Sequence, residues 1–573
     1  MNLANLGKAG LLVAQNRLQT AGHNINNAAT EGYNRQTVLA QTAGATPTSA
    51  GWIGRGVQAV SVQRSYDNFL YHQLTSSQTR GAALKTYGDQ ISQVNNLVAD
   101  RTVGISPNIQ KFFDGLDAVA SAPADVAGRQ ELLGRANSLA SQIRDANAFL
   151  DEQRQNVNTQ IDTTVTQVNS YLDRIQDLNR QITTAKATNP GQPPNDLLDQ
   201  RDQLASELGQ LVDIKVYEQD DRFSITIGNG QTVLGGDSVY YLQANPSAAD
   251  PGRLAVNYTV TDASGQPKPV EMKDSLITGG KLGGLLTFRS DVLDTTQNDL
   301  GRLALGISMA VNAQHIQGYD PSGAQGGDFF TVSSPKIIKN ADNAATADPA
   351  ASITDVSKLT NQDYRLDYDG TSYTVTRVPD GTVMGPVTVG GNETYDGVTF
   401  DITDIDTAGD AAAGDSWLIQ PTRSAAAGMD VAITDPAKIA AAGAYDDDND
   451  PLTPDVPAGS ANGDNALALA QLRSKKILGG LPGGAPGQGT MGLNEAYSQL
   501  VNNVAVKTQS NTTAQKAQNS LIQQNYAAQQ AVSGVNMDEE YINLQQYQEQ
   551  YRAAARLIDT ASTLFDTLLS LRN

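Results

Sequence analysis

The sequence predicts a mixed, mainly α fold, with terminal helices paired as a coiled coil, a long helical bundle with β-hairpins, and an inserted β-rich domain. Heptad rows of small or apolar residues occupy both ends of the chain. Long stretches between them keep apolar residues three and four apart, and two internal regions switch to alternation around Gly-centred turns. A chain of 573 residues has room for roughly three or four domains.

At the N-terminal end, Ala4, Leu11, Leu18 and Ile25 lie seven apart, and Gly7, Ala14, Ala21 and Ala28 form a second row three positions further on. Small residues in one row permit close helix approach. The C-terminal end mirrors this, with Leu544, Tyr551, Ile558 and Phe565 in one row and Tyr547, Ala554, Ala561 and Leu568 in the other. Each seam is too narrow to be stable alone, so the two ends are expected to pair. The first helix runs into AGHNINNAATEGYNRQ, where a polar helix end is followed by a turn at Gly32.

Further along, Leu84, Tyr87, Ile91, Val94 and Val98 keep helical spacing. So does a block at about 129–186, with Ile161, Val165, Val168, Leu172, Ile175 and Ile182 on one face. Asn189-Pro190-Gly191 and Pro193-Pro194 break that block before another helix over 196–212. The first and last of these helices, with others near 285–317 and 495–531, are expected to form a rod-like bundle. The amide-rich stretch QKAQNSLIQQNYAAQQ reads as a solvated helix face of a kind that also lines subunit contacts.

Alternation at Phe223, Ile225 and Ile227 before Gly228-Asn229-Gly230 places β-hairpins at about 213–275. A second β-rich region begins near Phe330, with a tight turn at Asp369-Gly370 and strand signals in YDGVTFDI. Links rich in Gly, Pro and Asp at 443–463, and in Gly at 479–489, return the chain to helix. The expected division is an inner coiled-coil domain of 1–60 with 530–573, a bundle domain of 61–329 with 464–529, and an outer β-rich domain of 330–463.

A formal net charge of −21 without clustered Lys and Arg argues against a nucleic-acid surface. The absence of cysteine excludes disulfides, thiolate metal sites and thiol nucleophiles. No stretch approaches the roughly 18 apolar residues of a membrane span. The apolar run at 9–14 is interrupted by Gly10 and too short for a cleaved signal, so the chain is expected to be cytosolic or exported by a route that reads none.

Candidate catalytic and ligand-binding groups are sparse. His23, His72 and His315 are the only histidines, and none belongs to a His-Glu-x-x-His pattern. His315 could pair with Asp320 and Asp328 as a base, but the favoured reading is a helix C-terminus closed by Gly318, with His315 at the negative end of the dipole. The acidic run Asp446, Asp447, Asp448, Asn449, Asp450 fails the EF-hand pattern, because Pro451 and Pro457 stand where Gly and Glu are needed. The pairs Gly279-Gly280 and Gly283-Gly284 match no phosphate-binding loop. No metal, cofactor or catalytic residue is therefore expected, and no enzyme.

Assembled, these features resemble the flagellar axial proteins of bacteria. The motif after their first helix, Asn-Ile-x-Asn-x-x-Thr-x-Gly-Tyr-x-Arg, is matched by Asn24, Ile25, Asn27, Thr30, Gly32, Tyr33 and Arg35. His23 and Glu31 depart from the family's usual Asn and Pro. AGWIGRGVQ, NDLLDQRDQL, GGLLTFR, the Asn312–Asp320 stretch and SGVNMDEE narrow the resemblance to the hook-associated junction proteins. It covers essentially the whole chain and is weakest in the inserted β-rich domain and the acidic loop.

The resemblance implies a structural role: a junction ring of about eleven subunits between hook and filament, outside the cell, exported by the flagellar type III system without a cleaved signal. The implied partners are further copies of the chain, the hook protein, the second hook-associated junction protein and an export chaperone of the hook-associated proteins. The motif residues would then be assembly contacts. Leu11, Leu18, Leu544, Tyr547, Tyr551, Ile558, Phe565 and Leu568 would serve terminal-helix packing and chaperone binding. An extracellular adhesin is the alternative, but it leaves the matched heptads at the two ends unexplained. A hydrolase fits least.

Narrow seams that need neighbours for burial imply that the ends of the isolated chain are unfolded and order on assembly. Hydrogen exchange on the free monomer is expected to be fast across 544–568; slow exchange there would contradict this.

Overall fold

The structure, a computed structural model, describes residues 3–49, 51–99, 104–261, 265–388, 390–409, 411–445, 456–480 and 487–570. The acidic run 446–450 lies outside them. Helix α1 (Leu3–Asn27) begins the chain, and the last helix (Met537–Ser570) packs against it in the opposite direction. The pair is close. A Cβ on Gly7 would lie 2.7 Å from Ile558 Cγ1 and 3.0 Å from the Ala554 carbonyl oxygen. Ala14, Ala21, Ala554 and Ala561 are buried.

Between α1 and the bundle the chain is not coiled coil throughout 1–60. It forms an antiparallel ribbon of β1 (Gln36–Thr42) and β4 (Val57–Arg64), tipped by the hairpin β2 (Ala45–Thr48) and β3 (Gly51–Gly54). Thr37, Val38 and Leu39 are strand formers on one side, and Val57, Val60 and Val62 on the other. The ribbon's corners fall at Gly44 and Gly56, both at positive φ.

The bundle comprises α2 (Asn68–Val98), α3 (Ile105–Ser121), α4 (Val126–Thr188), α5 (Asn195–Leu211), α6 (Gly280–Phe288) and α7 (Asp294–His315). A π-helical turn, Arg289–Leu293, joins the last two. The short α8 (Thr403–Ala408) belongs to the outer β unit; α9 (Asp464–Gln471) and α10 (Leu493–Ser533) return to the bundle before α11, the final helix. Sequence spacing assigned the flanking helices to the rod, but its spine is α4. This helix has 63 residues and is about 95 Å long at the usual rise. Asp67 and Asp125 cap α2 and α4 by accepting from two backbone N–H groups each. The α4 face of Ile161, Val165, Val168, Leu172, Ile175 and Ile182 is buried, in one core with Phe112, Phe113, Phe329 and Phe330.

The amide-rich face of α10 is not simply solvated. Asn511, Gln518 and Asn525 recur every seventh residue and face α2. Asn511 Nδ2 donates to the Leu84 carbonyl (3.0 Å), Gln518 Nε2 to the Ser77 carbonyl (2.8 Å) and Asn525 Nδ2 to Ser77 Oγ (2.6 Å). The seam is therefore keyed by hydrogen bonds where a coiled coil usually has leucine.

A four-stranded and a three-stranded antiparallel sheet lie beside α4 between Ile214 and Glu271. Asn179 of α4 fastens the first by exchanging two 3.0 Å hydrogen bonds with the Phe223 backbone. The outer unit holds a five-stranded sheet and a three-stranded sheet around Tyr364, Phe400 and Trp417. At its tight turn, Asp369 Oδ1 accepts from the N–H groups of Thr371 and Ser372, both at 2.7 Å. Arg423 couples this unit to the bundle by pairing with Asp363 of the outer unit and Asp294 of α7. Although burial raises it, Arg423, Arg154 and Arg253 hold Asp294 well below the usual carboxylate range.

His315 corrects the sequence reading. It ends α7 but is fully buried, and burial pushes its pKa below the ordinary value. Nδ1–H donates to the Gly327 carbonyl (2.7 Å) and Nε2 accepts from the Ala440 N–H (2.8 Å), an arrangement that requires the neutral ring. No cation is therefore offered to the helix dipole. The depressed pKa means that below about pH 6.5 the unfolded chain binds a proton that the folded chain refuses. The histidine's contribution is complete above that pH and is lost as pH falls towards the folded value. Amide exchange in α7 should accelerate between pH 7 and pH 5, after correction for intrinsic rates, by up to about 1.4 kcal/mol of opening energy per pH unit. His315→Gln should remove this dependence.

Candidate functional site

The motif loop joins α1 to the ribbon, where four parts of the chain meet: α1, the ribbon, α5 and the α10–α11 corner. Asn24 is buried in the last turn of α1. Its Nδ2 donates to the Gln36 carbonyl (2.9 Å) and to Glu540 Oε2 (3.2 Å), while Oδ1 accepts from Tyr33 Oη (2.7 Å) and the Gln36 N–H (2.9 Å). Every hydrogen-bonding position of this amide is used.

Asn27 and Thr30 shape the turn itself. Asn27 Nδ2 donates to the His23 carbonyl (3.0 Å), and Thr30 donates its N–H to the Asn27 carbonyl (2.9 Å) and its hydroxyl to Asn27 Oδ1 (3.2 Å). Gly32 has φ of +80°, and a Cβ there would meet Gln203 of α5 at 2.9–3.0 Å. Both the left-handed backbone and the close approach require glycine. Ile25 is half-buried beside them.

Arg35 ties the loop to the far end of the chain. Its N–H donates to the Ser533 carbonyl (2.8 Å), Nε to Glu540 Oε1 (2.8 Å) and Nη1 to Glu539 Oε2 (3.0 Å). Glu540 is almost wholly withdrawn from water, so Arg35 and Asn24 supply the partners that its buried charge needs.

Beneath the loop, α5 presents Asp196, Asp199 and Asp202 at three-residue spacing. Asp196 accepts from Gln36 Nε2 (2.8 Å), Asp199 from the Asn34 N–H (3.0 Å) and side chain (2.6 Å). Arg64 of β4 bridges Asp199 (2.8 Å) and Asp202 (2.7 Å). Burial pushes both of these aspartates up; Arg64, lowered by burial, is held above its ordinary value by the pair. Burial first, then Asp196, Asp199 and Glu540, push the Tyr33 hydroxyl far above the usual tyrosine range, so it remains a donor to Asn24.

Of the motif residues, Asn24, Tyr33 and Arg35 thus converge on one network through Glu540, while Asn27, Thr30 and Gly32 form the turn that brings them there. Sequence reasoning gave no role to Asn34, Gln36, Arg64, Glu540 or the α5 aspartates. The signal was present in NDLLDQRDQL, whose acids fall on one helix face, and in the first turn of α11.

The terminal-helix residues divide differently. Leu11, Leu18, Leu544, Tyr547 and Ile558 are half-buried in the α1–α11 pair, and Arg17 lies over the Tyr547 ring at 5.5 Å. Tyr551, Phe565 and Leu568 are exposed. Leu557, Leu564, Phe565 and Leu568 form an uncovered apolar stripe along one face of α11.

The chain is 40% identical to flagellar hook-associated protein 1 of Salmonella typhimurium over 574 aligned residues, covering all of both chains. It belongs to the flagellar hook-associated protein 1 family. The Escherichia coli K12 member is 37% identical, again over the full length of both. Family models described as the flagellar hook-associated protein FlgK helical domain and the hook-associated protein 1 D2-like domain match residues 91–330 and 338–421. A third, the flagellar basal body rod FlgEFG protein C-terminal, matches 523–571. A solved structure of the flagellar hook junction protein FlgK from Burkholderia pseudomallei superposes with a TM-score of 0.72 at 31% identity. It covers 80% of this chain and 100% of its own.

Arg35→Met would leave Glu540 buried beside a neutral side chain. A cost of about 2–4 kcal/mol is expected, below the upper range for a buried pair because Arg35 keeps some solvent contact. Adding Glu540→Gln should recover part of it, a coupling measurable by a double-mutant cycle on amide exchange over 537–543, at the α10–α11 corner.

Proposed function

We propose that the chain is a structural component of the bacterial flagellum, a subunit of the junction ring between hook and filament on which the filament is assembled. The observation that carries this reading is the apolar stripe on α11. A membrane-independent protein rarely leaves such a helical face to water, and neighbouring subunits of a ring would bury it. Family membership supplies the context, and the Burkholderia relative is itself described as a hook junction protein.

On this reading, residues 1–60 and 530–573 form the inner unit, 61–329 with 464–529 the middle bundle, and 330–463 the outer unit. Asn24, Ile25, Asn27, Thr30, Gly32, Tyr33 and Arg35 set the angle of the inner unit on the bundle. Phe565, Leu568 and Tyr551 are the surface that neighbours cover, in a ring of about eleven copies, with the hook protein on one side and the second hook-associated junction protein on the other. Before export through the flagellar type III system, the same stripe suits a cytoplasmic chaperone that binds an amphipathic helix.

Deleting 533–573 tests the reading. The outer β unit is expected to stay folded, while chaperone binding and filament assembly are lost. Cells carrying the deletion should show hooks without filaments and shed flagellin into the medium; normal motility would overturn the proposal.

A further inference from the structure

The ribbon ends in a hairpin that the rest of the chain leaves uncovered. Both strands, β2 and β3, are exposed along their whole length, with Pro47 paired to Trp52 and Thr46 to Ile53. Trp52 is 76% exposed and Ile53 48%. A lone two-stranded hairpin is marginal in water, and a tryptophan at its tip is the kind of side chain that anchors an interface. Arg55, whose N–H donates to the Gly44 carbonyl (2.8 Å), is the one charged residue of the sequence between Gln36 and Gly56.

A second uncovered surface of the same inner unit is the end of α11. Leu564, Phe565, Leu568 and Leu569 are exposed there, Phe565 to 62%. Between Leu557 and Ser570 the only charged residues of the sequence are Asp559 and Asp566, both exposed. Asp566 lies three residues from Leu569 and seven from Asp559, so the two acids flank the apolar stripe. Hairpin and stripe begin at one level. A Cβ on Gly56, at the hairpin's base, would lie 3.1 Å from Leu6 Cδ1, and the adjoining Gly7 meets Ile558. Within one chain they leave each other open to water. The two surfaces are complementary, an apolar tip with one cation and an apolar stripe with two anions. A ring closed by head-to-tail contacts needs two such unlike surfaces on every subunit.

We propose that the β2–β3 hairpin of one copy docks on the α11 stripe of a neighbouring copy. Trp52 and Ile53 cover Leu564, Phe565 and Leu568, and Arg55 stands against Asp559 and Asp566. The inference rests on the junction reading and adds to it the segment of the neighbour that covers the stripe.

The chain contains no cysteine, so an engineered pair of thiols reports one contact. Ile53→Cys with Leu564→Cys keeps Trp52 and Phe565 in place. The full-length double variant is produced in cells lacking the unaltered chain, and their isolated flagella are oxidised. A ladder of cross-linked subunits is expected under denaturing conditions, absent from either single variant. A second pair, Thr46→Cys with Leu568→Cys, reads the same contact should the first disturb assembly. Trp52→Ala in the cross-linking background should lower the ladder at least about tenfold. Arg55→Glu should lower it about threefold, and Asp566→Lys added to it should restore most of the loss. Filaments and motility without a ladder from either pair would overturn the docking and leave the junction reading standing. A cross-link within one chain, to a chain of another kind, or in a single variant would also overturn it. A chain that never enters the flagellum overturns the junction reading, and the docking with it.

Discussion

The carboxylate of Glu540 is removed from water and held by two groups from the opposite end of the chain, the Asn24 amide and the Arg35 guanidinium. Burying an ionised carboxylate costs several kcal/mol unless partners replace its hydration. The α10–α11 corner can therefore close only with the N-terminal loop in place. The loop in turn depends on α5, through Asn34 and Asp199, and on the ribbon, through Gln36. Terminal pair, ribbon and bundle are thus linked by polar groups that have little freedom to exchange partners.

The molecule uses two kinds of cohesion in different places. The bundle around α4 is held mainly by phenylalanine and aliphatic side chains in one continuous core. The α2–α10 seam and the motif joint are polar and set register more than strength. Arg423 and Asp294 extend the polar scheme to the outer unit, where a buried group of charges bridges strands and helices. Stiffness then resides in the rod, while its two ends are positioned by directional bonds.

Much of the helical architecture was legible because spacing encodes burial. The α4 face and the small-residue seam Gly7, Ala14, Ala21 appear in the sequence as they do in the fold. The β1–β4 ribbon was not, since its short strands carry weak alternation and side chains that are mostly half-buried or exposed. The α10 amides leave a solvated face and a contact face both open, because composition does not say whether an amide meets water or a backbone carbonyl. His315 does end α7 as its position suggests, but burial and two committed ring nitrogens decide against the charge that the position also suggests. At the joint, the motif was visible while its acidic partners were not, because pairing across roughly 165 or 505 positions leaves no local trace.

The antiparallel closure of α1 on α11 also fixes an order of events. The hydrogen bond from Arg17 to Gln550 spans 533 positions. The entropy of closing so long a loop grows only logarithmically, so distance along the chain is a modest thermodynamic burden. It is a temporal one in synthesis, because the helix that α1 pairs with is not made until almost every other residue exists. The helix made first waits for the helix made last.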